Sequence, residues 1–141
     1  MTLEKTTRLI EQFETCTLPK EQWTHEAHFI MAFWYCLQYP LPTAVHKIRD
    51  GIKKYNVSVG GQNTDSSGYH ETITLFYISA IANFIIANGI TELSAHDING
   101  LLQQPFIARD YAYRFYTKAQ LTGVEARRVW VAPELQPALL V

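Results

Sequence analysis

The chain has little of what marks several large protein classes. Its two cysteines, Cys16 and Cys36, form neither a Cys-x-x-Cys pair nor a multi-cysteine framework, so free thiols in a reducing compartment are expected. No dense block of lysine or arginine occurs, and 12 basic against 13 acidic side chains leave almost no net charge. The electrostatic footprint of a nucleic-acid binder is therefore missing, and no nucleic-acid partner is expected. The longest apolar run, Phe76 to Ala87, falls short of the roughly 20 residues needed to cross a bilayer, so no membrane partner is expected either. Glu4, Arg8, Glu11 and Glu14 interrupt the start, which has no signal-peptide layout, and a cytoplasmic location is the expectation. There is no internal repeat, no low-complexity run and no convincing strand.

What is present argues for a folded core. Apolar residues make up 48% of the 141, including three Trp, eight Tyr and seven Phe, which is far from the composition of a disordered chain. That length suits one domain, residues 1–141, without staples.

Periodicity points to helices throughout. Leu3, Thr7, Ile10 and Phe13 recur at helical spacing, giving an amphipathic first helix over 3–15 that Leu18-Pro19 ends. Thr24 can cap a second helix running to about Gln38, apolar on every side and hence buried. Pro40 and Pro42 then force a turn. Val45, Ile48, Ile52, Tyr55 and Val59 stripe a third helix, with Lys47, Arg49, Asp50, Lys53 and Lys54 on its outer face. Gly51 inside it costs about 1 kcal/mol relative to alanine unless a neighbour packs closely there, and Gly60-Gly61 stop the helix. A fourth, greasy helix follows the polar loop 62–68, capped by Ser67 or Gly68 and ended by Asn88-Gly89. Ser94 with Asp97 opens a short fifth helix, Arg109 to Tyr116 read as another, and from Thr117 an irregular tail lies over the bundle. The expectation is an all-α, single-domain bundle of five or six helices.

Two polar clusters sit at the mouths of the two greasiest helices: Trp23-Thr24-His25-Glu26-Ala27-His28, and Tyr69-His70-Glu71-Thr72. Short loops make consecutive helices antiparallel, so helices two and four run parallel and bring both mouths to one end of the bundle. His25 and His28, three apart, share a helical face. Helix N-termini disfavour imidazolium, and neutral imidazole is what a divalent metal binds. The inventory suits a mononuclear site in which His25, His28 and His70 hold zinc or iron. Glu71 would be the fourth ligand or the base acting on metal-bound water, and Tyr69 or Arg109 would orient substrate. The histidines are not four apart as in zinc peptidases, and the carboxylates of a di-iron bundle are lacking.

Plainer readings stand beside these. His25, His28 and His70 can be buried and hydrogen-bonded to backbone; Glu71 can belong to a capping box with Gly68. Glu26 is expected to face outward, His46 and His96 to lie on the surface, and Asp65 to make a turn bond within its loop. Arg109 and Tyr111 can fix an anion over the site, or serve packing and a surface ion pair.

The segments Trp23-Thr24-His25-x-x-His28 and Asn63-Thr64-x-x-Ser67-Gly68-Tyr69-His70-Glu71-Thr72, with Ala126-Arg127 and Pro133-Glu134-Leu135 further on, resemble those shared by a group of small uncharacterised bacterial helical proteins. The resemblance spans most of the chain from the second helix to the tail; it implies a helical domain and no particular reaction. Three functions follow as expectations. The first is a metal-dependent enzyme on a small molecule, with metal-assisted hydrolysis ahead of oxygen chemistry at iron. The second is a metal-free module binding an anionic small molecule between helix dipoles. The third is an interaction domain without catalysis. Oligomeric state is left open.

Overall fold

The computed structural model describes residues 1–137, which form seven α-helices and no strand. They are α1 (Leu3–Glu14), α2 (His25–Gln38), α3 (Leu41–Ser58), α4 (Glu71–Ala87), α5 (Ala95–Leu102), α6 (Lys118–Leu121) and α7 (Val124–Arg128). The all-helical expectation holds; the count of five or six is corrected to seven. The tail from Thr117 looks irregular in the sequence because α6 and α7, at four and five residues, are too short to show a period. The helix expected over 109–116 is instead a short 3-10 turn, Tyr111–Arg114. Residues 138–141, the end of the expected tail, lie outside the described residues.

Local chemistry sets most boundaries. The Thr24 hydroxyl accepts from the Ala27 amide and Ser94 from the Asp97 amide, as their side chains predict. Helix α3 starts earlier than expected because Pro42 sits in its first turn, where no helical amide donor is required. Helix α4 is capped by neither Ser67 nor Gly68: His70 takes the N-cap position, its Nδ1 accepting from the Ile73 amide.

Ring contacts fix the directions of the three central helices. Phe29 lies 5.1 Å from Tyr77 and Phe33 lies 6.2 Å from Phe84, so α2 and α4 run the same way. Lys47 stands over Tyr39 at one end and Tyr55 lies 5.2 Å from Trp23 at the other, so α3 runs against α2. Phe29, Ile30, Met31, Ala32 and Phe33 are consecutive and all buried, as a helix apolar all round must be. A smaller cluster of Phe76, Ala112, Tyr116 and Leu121 covers another side of α4. Thr72 fastens the chain that follows α7, its hydroxyl donating to Val129 O at 2.8 Å and accepting from the Val131 amide at 3.1 Å.

Gly51 proves to be a close-packing glycine. A Cβ there would come within 2.8 Å of Phe13 Cε2. Phe13 has nowhere to retreat, since it is 1% exposed and its ring lies 4.9 Å from Trp23 and 5.9 Å from Tyr55. Gly51→Ala gains alanine's helix propensity of about 1 kcal/mol but overpacks the core by about 1–3 kcal/mol. The expected net result is a loss of about 1 kcal/mol, read as a lower urea midpoint with an unchanged slope.

Candidate functional site

The register of the two parallel helices decides which side chains meet. The Phe29–Tyr77 contact sets the first turn of α4 beside the start of α2, and His70 precedes that turn at the N-cap. Ile73 and Thr74, accordingly, line the same cavity as His25 and His28. This cavity, about 470 Å³, lies between α2, α3, α4 and the 105–113 segment. Its wall is mostly apolar, with Phe29, Ile48, Ile52 and Ile81 among the lining, and Tyr77 and Arg109 also reach it.

Both imidazoles at its wall are held by backbone carbonyls. His25 Nε2 donates to Ile107 O at 2.6 Å, and His28 Nδ1 donates to Thr24 O at 2.6 Å. A carbonyl only accepts, so the proton positions are fixed at those atoms. His25 Nδ1 and His28 Nε2 take no hydrogen bond from the described residues. Trp23 stacks on His28 with centroids 3.8 Å apart. Burial lowers the His28 pKa below the ordinary histidine value, the bond to Thr24 opposes this, and repulsion from His25 adds to the lowering. Burial pushes the Tyr77 phenol up to about 12.

The other expected site residues go elsewhere. His70, 8% exposed, spends both ring nitrogens on backbone: Nδ1 on the Ile73 amide at 3.1 Å, and Nε2 donating to Leu121 O at 2.7 Å. Its pKa is lowered, first by burial, against the bond to Leu121 and with help from Arg127. Glu71 turns to α3, where Arg49 grips it with Nε at 3.0 Å and Nη2 at 2.7 Å, and Tyr69 Oη donates to it at 2.5 Å. Burial alone would raise the Glu71 carboxyl; Arg49, Tyr69 and Lys53 outweigh it and hold the group below the usual carboxylate range. Burial and the Glu71 carboxylate drive the Tyr69 phenol well above its ordinary value.

The expected rim of three imidazoles and one acid is therefore divided. His25, His28 and Arg109 share one cavity; Tyr69 and Glu71 line another; His70 lines neither of these two. Successive residues on a helix point about 100° apart, so neighbours such as His70 and Glu71 serve different partners. Among the described residues, no three His, Cys, Asp or Glu side chains come together in an arrangement able to hold a metal ion.

The remaining expectations resolve simply. Glu26 and His96 are exposed, and His46 faces Asp50 on the surface at 3.1 Å. Asp65 makes no turn bond of the expected kind; both its carboxylate oxygens accept from Arg128, at 2.7 and 2.5 Å. Tyr111 packs among Phe76, Phe106 and Phe115. In the sequence Thr74 and Tyr77 look like ordinary residues of a greasy helix, and Arg49 and Lys53 like a solvated face, yet all four line a cavity. No local signal distinguishes them, because their partners come from other helices. Among the described residues no helix is long and apolar enough to cross a membrane.

No protein-family model, curated protein or solved structure matches this chain, so the site is read from its own geometry.

Proposed function

We propose that this chain is a small-molecule-binding domain whose apolar cavity takes a mostly hydrophobic molecule bearing an anionic group. Arg109 would meet the charge, and His28 Nε2 would accept a hydrogen bond or proton from the ligand. One observation carries this reading. A cavity of about 470 Å³ with apolar walls holds two imidazoles, each tied by one nitrogen to a carbonyl, with Arg109 beside them. Ligand sites have this character, an apolar enclosure with a few fixed polar groups. A lowered His28 pKa keeps that ring a hydrogen-bond acceptor at neutral pH.

A panel of aliphatic and aromatic carboxylates tests this by thermal shift and calorimetry. At least one should bind saturably, and Arg109→Gln should weaken it about tenfold or more, the scale of one hydrogen bond to a charged group. Binding that ignores Arg109→Gln, or no binding across the panel, would sink the reading.

Metal-assisted hydrolysis at a zinc or iron ion is the second reading. It is favoured by the carbonyl bonds at His25 and His28, since metal-bound histidines ordinarily donate their other N–H to such a group. In this reading His25 Nδ1 and His28 Nε2 are the available ligand atoms. His70 would first have to release Leu121 or the Ile73 amide, and Glu71 to release Arg49. The carboxylate panel repeated after chelation separates the two: binding that persists belongs to the metal-free cavity, binding lost and restored by zinc or iron to the metal site.

A further inference from the structure

Unlike that cavity in chemistry, an open polar cavity of about 490 Å³ lies between the loop 62–70, α3, the start of α4 and α7. Its lining carries four cations, Arg49, Lys53, Arg127 and Arg128, against two carboxylates, Asp65 and Glu71. An excess of two positive charges gathers here in a chain whose net charge is −1.

The pairing within the cavity shows where that excess sits. Glu71 is taken by Arg49 and Asp65 by Arg128. Arg127 makes no ion pair among the described residues. Its Nη1 donates to Gly68 O at 3.0 Å and Tyr69 O at 3.4 Å, which positions the guanidinium without neutralising it. Lys53 likewise makes no ion pair; its ammonium stands over the Tyr69 ring, 5.1 Å from the centroid. That ring is fixed in turn, being 7% exposed with its hydroxyl bound to Glu71. Asn63 braces the floor, accepting from the Tyr69 amide and donating to Lys53 O.

Two cations held in place by carbonyls and an aromatic face, inside a concavity, present donors that no carboxylate pairs with directly among the described residues. We infer that this cavity is a binding site for a doubly charged oxyanion, namely the phosphoryl group of a small phosphate ester or phosphate itself. Arg127 and Lys53 match a dianion in charge, and a guanidinium fork matches phosphate oxygens in geometry. The Thr64 hydroxyl, also in the lining, is a further donor. The volume exceeds what one phosphate ion fills, leaving room for the rest of an ester. This site is separate from the apolar cavity, and neither proposal requires the other.

The test titrates wild-type protein with inorganic phosphate, and in parallel with glycerol phosphate, against chloride at matched ionic strength, following melting temperature and binding heat. A saturable response to a phosphate that chloride does not reproduce is expected. Tighter binding of glycerol phosphate than of inorganic phosphate identifies an ester site; equal binding identifies a site for the ion. Lys53 is exposed, so Lys53→Gln leaves the core untouched and should weaken binding about tenfold. Arg109→Gln should leave it unchanged. No saturable response to either phosphate overturns the proposal. So does a response that Lys53→Gln does not reduce, and so does one that Arg109→Gln abolishes, which would place the anion in the apolar cavity.

Discussion

Gly68→Ala lowers the stability of this protein by about 2–4 kcal/mol, combining a left-handed backbone penalty with overpacking. Gly68 has φ +82°, a conformation that side-chain-bearing residues adopt at a cost. A Cβ there would run into the carbonyl oxygen of Gln62 and lie 2.7 Å from Asn63 Oδ1. Neither obstacle is free to move. Asn63 Oδ1 already accepts from Asn56 Nδ2 and from the Tyr69 amide, and its Nδ2 donates to Lys53 O. The substitution therefore strains the loop and pulls at the Asn63 bonds together. Urea unfolding of Gly68→Ala, beside Gly60→Ala as a comparison, gives the measurement. Gly60 also has positive φ, +89°, but an added Cβ there meets nothing within 4 Å. Gly60→Ala should lose only the backbone share. Equal losses at the two positions would show that crowding at Gly68 contributes nothing.

His70→Ala should cost about 2–4 kcal/mol, adding a lost N-cap of about 1 kcal/mol to a buried carbonyl left unpaired at about 1–3 kcal/mol. The cap is the Ile73 amide on Nδ1, and the orphaned carbonyl is that of Leu121. His70→Asn restores a good cap but has too short a side chain to reach Leu121, so it should fall between wild type and alanine. The same residue gives the protein a pH dependence with a definite sign. His70 and His28 both have folded pKa values below the ordinary histidine value of about 6.5, chiefly through burial. The unfolded chain then binds more protons than the folded one as the pH drops through about 6.5, and stability falls with it. The contribution is complete above the unfolded pKa and is lost progressively from there down through the folded values. Melting temperatures measured from pH 8 to pH 5 should decline below about pH 6.5 in wild type. The decline should be shallower in His70→Asn, where one of the two depressed histidines is gone. A slope unchanged by His70→Asn would assign the effect to His28 or to groups outside the site.

Within the segment from Asn63 to Thr72, Gly68, His70 and Thr72 serve the fold. Gly68 closes the loop, His70 caps α4 and ties it to α6, Thr72 clips the chain after α7, and Glu71 locks α4 to α3 through Arg49. The histidines left facing a cavity with a nitrogen to offer are His25 and His28, from the other polar cluster. A polar cluster at the mouth of a greasy helix thus has two uses. It can finish the helix end or it can face a ligand, and the residue types serving both are the same.

The sequence by itself determined the helical class, the Thr24 and Ser94 caps, the burial of the middle of α2 on every side, and the antiparallel course of α2 and α3. Each follows from forces acting over a few residues: capping bonds, apolar periodicity, and the short link 39–40 that turns α3 back along α2, whereas the long link 59–70 leaves the direction of α4 to packing. Tertiary structure alone decided which polar side chains share a space. That choice depends on axial register and on a rotation of about 100° per residue. It depends equally on acceptors and donors far away in the chain, Ile107 for His25, Leu121 for His70, Arg49 for Glu71 and Arg128 for Asp65. The packing of two parallel helices left His70 at the N-cap, outside the cavity, and put Ile73 and Thr74 in the cavity lining.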